Sequence, residues 1–205
     1  MTQSTRNKKD IIQWVVTIGI IVILFTTGLH TEVIGGLQRL VLATGISKPD
    51  IPESAPIQQV SSTNTVETSN YAYNMPLQDL NGKQINLQEL KGKVVFMNLW
   101  ASWCPPCIAE MPSIHNLYKK MDTTKVAFVM LSLDEDPQKA KKFIDRKGYS
   151  FPVYLPAGSM PADFHSNAIP TTFILGKDGK ILARHEGMAD YDNEEFSNYL
   201  LSLTK

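Results

Sequence analysis

Scarcity narrows this sequence before any motif does. Its 205 residues carry two cysteines and four histidines, and equal numbers of acidic and basic side chains give a formal net charge of zero. Without a basic excess there is no electrostatic footprint for nucleic acid, so that class of partner is not expected. The histidines, at positions 30, 115, 165 and 185, are scattered, and with only Cys104 and Cys107 beside them a four-ligand zinc site lacks ligands. Ile108 stands where Cys-x-x-Cys-His haem attachment needs a histidine. No metal and no other cofactor is expected.

Charge is also absent from Ile11 to Leu29, nineteen residues that follow Arg6, Lys8 and Lys9. At ~1.5 Å rise per residue such a run just covers a bilayer core of ~30 Å, and the basic flank places the N-terminus in the cytoplasm. The segment exceeds the apolar run of a signal peptide, and no small-x-small cleavage site follows it. Residues 1–10 are therefore expected as a cytoplasmic tail and 11–29 as a single transmembrane anchor. Within 30–46, Val33, Leu37, Leu40, Val41 and Thr44 share one helical face, which suits an interfacial amphipathic helix or a continuation of the anchor. Residues 47–70, rich in Pro, Ser and Thr, lack periodicity and form a flexible linker to a domain over 71–205.

That domain holds both cysteines in Asn98-Leu-Trp-Ala-Ser-Trp-Cys-Pro-Pro-Cys107. The preceding apolar run, from Val94 to Trp100, reads as a buried strand, so the cysteines fall at a strand-to-helix turn. At the head of a helix they lie one turn apart on one face, about 5 to 6 Å between Cα atoms, within disulfide reach. Backbone N–H groups and the helix dipole there favour a thiolate at Cys104. Glu110, three residues beyond Cys107, is either a solvated surface acid or a desolvated carboxyl able to exchange a proton with a thiol; spacing leaves both open.

Around this turn the elements follow in order. Asn81-Gly82 closes a hairpin within Met75–Leu87, and Ile108, Met111, Ile114, Leu117 and Met121 give a helix to about Lys120 with Pro112 inside it. Val126 to Leu133 is a strand. Asp136 and Pro137 start a helix that Gly148 ends, and a parallel strand is expected near Phe151 to Leu155. Thr171 to Leu175 pairs with Ile181 to His185, and Asp192 with Glu195 caps a last helix. The fold class is α/β, thioredoxin-like: a central mixed sheet with helices on both faces and an N-terminal β-hairpin extension.

Trp103-Cys-Pro-Pro-Cys-Ile-Ala-Glu-Met-Pro112, with Ile169-Pro-Thr-Thr-Phe-Ile174 downstream, resembles the TlpA/ResA/CcmG-like branch of membrane-anchored thioredoxins over about Tyr73 to Leu203. The resemblance implies a bacterial protein of the cytoplasmic membrane whose catalytic domain is extracytoplasmic (periplasmic). It implies a thiol-disulfide oxidoreductase in which Cys104 and Cys107 form the redox disulfide and Glu110 joins them as a catalytic residue. Trp103, Pro105 and Pro106 support the site, and Asn98 replaces the buried Asp of cytoplasmic thioredoxins. Pro170, a trans turn proline on residues alone, is implied to be cis and to face the cysteines, with Ile169 and Thr171 in the segment that meets a substrate strand.

Direction is read from Pro105 and Pro106, which bring no N–H to stabilise a Cys104 thiolate. A reductant of protein disulfides is expected, supplied by a transmembrane dithiol electron donor and acting on disulfide-containing protein substrates, among which cytochrome c maturation supplies candidates. Two other classes compete. A peroxiredoxin-type thiol peroxidase needs Thr or Ser three residues before its cysteine and a proline upstream, where this chain has Ala101 and Met97. A non-catalytic tethered binding module would not need Cys104, Cys107, Glu110 and Pro170 together.

Overall fold

The structure is a computed structural model that describes residues 3–27, 29–42, 49 and 74–205. Most of the expected linker, 47–70, lies outside the described residues, as do 71–73 and Thr44 of the amphipathic face.

Two N-terminal helices come first, α1 (Gln3–Thr27) and α2 (Leu29–Leu42). The expected tail is thus helical from Gln3. Among the described residues no helix is long and apolar enough to cross a membrane. The expected run 11–29 falls across both helices, and Gly28 lies outside the described residues. Apolar side chains along α1 are nevertheless exposed: Ile11, Trp14, Val15, Ile18 and Ile23 each by more than half.

The domain opens with a hairpin, β1 (Pro76–Asp79) and β2 (Gln84–Asn86). Its turn is wider than the expected two residues. The Asp79 carboxylate accepts from the N–H groups of Asn81 and Lys83, and Gly82 takes a positive φ, 89°. A 3₁₀ turn over Leu87–Leu90, boxed by Asn86 and Glu89, leads to β3 (Val94–Trp100) and then α3 (Pro105–Lys120). Next come β4 (Val126–Ser132), α4 (Pro137–Lys147) and β5 (Val153–Pro156). Asp136 caps α4 and Gly148 ends it at φ 67°. A short 3₁₀ turn, Ala162–Phe164, precedes β6 (Thr171–Leu175) and β7 (Ile181–Glu186), and α5 (Glu194–Ser202) closes the chain. The N-cap of α5 is Asn193, which accepts from the Phe196 N–H. Asp192, expected in that role, instead accepts from Asn116 and pairs with Lys120.

All seven strands form one mixed sheet in the order β2-β1-β5-β4-β3-β6-β7, with β3, β4 and β5 parallel and the remaining pairs antiparallel. Helices were expected on both faces, but α3, α4 and α5 all pack into one cluster with Val94, Phe96 and Trp100. The cause is handedness. The crossovers β3-α3-β4 and β4-α4-β5 advance in the same direction along the sheet, so right-handed connections place both helices on the same side. The other face, with Val95, Met97 and Leu99, is covered by Met75, Leu77, Leu87 and Phe164. β3 is buried on both sides, and its C-terminal end delivers the chain to the cysteine turn.

The amphipathic helix α2 packs against α3 through the side away from its apolar face. Val33, Leu37, Leu40 and Val41 are exposed, whereas Thr31, Gly35 and Leu42 face the domain. Gly35 permits the approach: a Cβ there would lie 3.0 Å from the Pro105 carbonyl oxygen and 3.1 Å from Ile108 Cγ2. Glu32 ties the helix to α4 through Arg146 and through Lys147 Nζ at 2.7 Å. Burial would raise the Glu32 carboxyl, but Lys147 and Arg146 outweigh it and hold it below its ordinary value.

Candidate active site

Cys104 is the N-cap of α3 and Cys107 sits one turn on, with 5.3 Å between their Cα atoms and a disulfide joining them. The Cys107 N–H points at Cys104 Sγ, 3.3 Å away, as expected where a helix's first donors are free. Pro105 and Pro106 follow the cap and contribute no donor. Heading a helix would leave Cys104 open to solvent, but it retains 4 % of its surface and Cys107 none. The neighbouring segment accounts for this, because Cys104 Sγ lies 3.7 Å from the Ile169 carbonyl oxygen. Trp103, just outside the pair, is 57 % exposed.

The Ile169–Pro170 bond is cis. Both ladders of β6 begin at Thr171, which pairs with Leu99 on one side and Glu186 on the other, so the backbone of Ile169 lies past the sheet's last rungs beside Cys104. Thr171 is buried and its hydroxyl donates to the Ala168 carbonyl at 2.7 Å, fixing the approach to the proline.

Behind the disulfide lies a polar chain inside the apolar core. Glu110 is fully buried; its Oε1 accepts from Asn98 Nδ2 at 2.8 Å and its Oε2 from the Ala189 N–H at 3.1 Å. Asn98 Nδ2 also donates to Thr172 Oγ1 at 2.9 Å, and the Tyr191 hydroxyl donates to the same oxygen at 2.7 Å. Asn98 Oδ1 has no hydrogen-bond partner among the described residues. Burial pushes the Glu110 carboxyl from 4.5 up to about 8; the bonds from Asn98 and Ala189 pull the other way without matching it. A carboxyl in that range lies close to an ordinary thiol near 8.5, and proton exchange between groups so matched costs little. Of the two settings left open by spacing, a solvated surface or a desolvated interior, Glu110 occupies the interior.

A second carboxylate holds the turn from outside. Asp134 accepts from the Ser102 N–H at 3.0 Å, from Ser102 Oγ at 2.7 Å and from Ser132 Oγ at 2.8 Å. Asp134-Glu-Asp136 reads in the sequence as a helix-capping run, and of the three Asp136 is the cap. The clue was position: Asp134 follows the end of β4, next to the end of β3, where a side chain meets the cysteine loop. Thr172 and Tyr191 were likewise missed as members of the Glu110 network, since only the sheet pairing and the loop before α5 bring them there.

The Redoxin family model matches residues 53–200. Thiol-disulfide oxidoreductase ResA of Bacillus anthracis is 37 % identical over 134 residues, 65 % of this chain and 76 % of that protein. ResA of Bacillus subtilis is 38 % identical over 112 residues, 54 % of this chain and 63 % of that protein. Among solved structures, StoA from Bacillus subtilis superposes with a TM-score of 0.52 at 26 % identity, covering 60 % of this chain and 93 % of that one.

Proposed function

The chain belongs to the Redoxin family, with ResA-type thiol-disulfide oxidoreductases among its relatives, and from that premise we propose that it is an anchored extracytoplasmic reductant of protein disulfides. It is a thiol-disulfide oxidoreductase. The observation that carries the reading is a single arrangement: a Cys104–Cys107 pair at a helix head, beside the backbone of Ile169 and in front of a buried Glu110 near thiol pKa.

The proposed reaction starts from the dithiol. A substrate strand pairs with the backbone at Ile169, and the Cys104 thiolate attacks one sulfur of its disulfide. A mixed disulfide forms and the first substrate thiolate leaves. Cys107 then gives up its proton, with the Glu110 carboxylate as acceptor, and attacks Cys104 Sγ. The Cys104–Cys107 disulfide closes, the second substrate thiolate leaves, and two electrons have passed to the substrate. A membrane dithiol protein restores the reduced form.

Anchorage rests on the uncharged run Ile11–Leu29, the basic residues before it and the exposed apolar side chains of α1. It places the N-terminus in the cytoplasm and the domain outside. Apocytochromes awaiting haem attachment are substrates to examine first, because their cysteine pairs must be reduced in an oxidising compartment.

The test is mixed-disulfide trapping in cells. Cys107→Ser removes the resolving thiol, so Cys104 stays linked to its substrates in adducts that dithiothreitol releases. If Cys107→Ser accumulates no adducts, or if Cys104→Ser accumulates the same ones, the roles are wrong.

A further inference from the structure

Where α1 ends, the domain and the N-terminal helices enclose a cleft of about 450 Å³. Thr26 and Thr27, from the last turn of α1, form one wall; Lys139, Lys142 and Arg146 of α4 form another; and Trp103, beside Cys104, completes it. Lys139 and Lys142 are exposed and make no ion pair among the described residues, while Arg146 shares Glu32 with Lys147. The lining therefore carries uncompensated positive charge.

We propose that this cleft binds the headgroup of an anionic phospholipid and so seats the active-site mouth on the membrane. The inference rests on the anchor proposed above. If α1 spans the bilayer, Thr26 and Thr27 leave the hydrocarbon at its outer face, and whatever shares a wall with them lies at headgroup depth. At that depth hydroxyls and lysines meet a phosphate with charge-assisted bonds, and an exposed tryptophan occupies the interface, where one end of the ring is apolar and the other wet. An acidic protein partner would also suit the lysines. The lipid is favoured because the anchor itself builds the wall. Docking of α2 through Gly35 and Glu32 keeps the two walls together.

Two consequences follow. Trp103 and the cysteine pair face the plane in which a membrane dithiol donor lies, and the long linker then restricts the domain less than the cleft does.

The test uses the full chain carrying Trp14→Phe, which removes the anchor's tryptophan; Trp100 is fully buried and serves as the silent background. It is reconstituted into phosphatidylcholine vesicles with or without phosphatidylglycerol, and Trp103 emission is quenched by a lipid bearing a nitroxide at its headgroup. Trp103 is expected to be quenched, more strongly with phosphatidylglycerol, and Lys139→Gln and Lys142→Gln should each weaken the phosphatidylglycerol-dependent part about fivefold. Chain retained by the vesicles through alkaline carbonate but showing no quenching of Trp103, or an increment the lysine variants leave intact, overturns the cleft alone and leaves an acidic protein as the partner to seek. Release by carbonate overturns the anchor and the cleft with it. Inorganic phosphate reproducing the phosphatidylglycerol effect in phosphatidylcholine vesicles would overturn the lipid as ligand.

Discussion

Replacing Glu110 by Gln should stabilise the oxidised protein, and by an amount that grows with pH. The carboxyl's pKa stands at about 8 in the fold against an ordinary 4.5. Between those values the folded state binds a proton that the unfolded state has released, so stability falls as pH rises through the window. At ~1.4 kcal/mol per unit the penalty is near zero at pH 4.5, roughly 3 kcal/mol at pH 7 and on the order of 5 kcal/mol above pH 8. An amide has no charge to desolvate and escapes it. Its N–H can be received by rotating the Asn98 amide, which brings Oδ1 to that side, while its carbonyl keeps the Ala189 N–H. Thermal unfolding of the full chain in detergent, disulfide intact, should show variant and wild type nearly equal at pH 5 and separated by roughly 10 °C at pH 7.5. A difference that is constant from pH 5 to 8 would refute the reasoning, because it would mean that the wild-type carboxyl titrates alike in both states.

Two further outcomes test the frame around the site. Asp134→Leu strands the Ser102 N–H and the hydroxyls of Ser102 and Ser132, so denaturant unfolding should show a loss of about 2 to 4 kcal/mol, and the cysteine turn should exchange its amide hydrogens faster. Gly35→Val drives two methyls toward the Pro105 carbonyl and Ile108; hydrogen exchange should then quicken across 29–42, while β3 and β4 keep their protection.

The parts of this molecule that local chemistry decides were legible in the sequence. Asp136-Pro137 and Gly148 bound α4 because capping depends on a residue and its next few neighbours, and the cysteine spacing fixed the 5.3 Å approach for the same reason. What long-range packing decides was not. Asp192 lost the cap of α5 to Asn193 because Asn116 and Lys120, more than seventy residues away, hold it. The side of the sheet taken by α4 depends on strand order, which no single segment encodes. The apolar stripe of α2 was visible, but which edge meets the domain turned on Gly35, a residue whose contribution is its missing side chain. Glu110 needed both levels: spacing put it behind the cysteines, and only the packed core made it a buried acid.

The reduction potential of the Cys104–Cys107 couple tests the proposed direction most directly. Cys104 Sγ receives one backbone N–H, from Cys107, and none from Pro105 or Pro106, while the Glu110 carboxylate, once ionised, opposes a second negative charge nearby. A weakly stabilised thiolate makes a reducing couple. Equilibration with dithiothreitol buffers, read by thiol alkylation, should give a value near the roughly −270 mV of thioredoxin; a value near the roughly −120 mV of a strong oxidase would contradict the reductant outright.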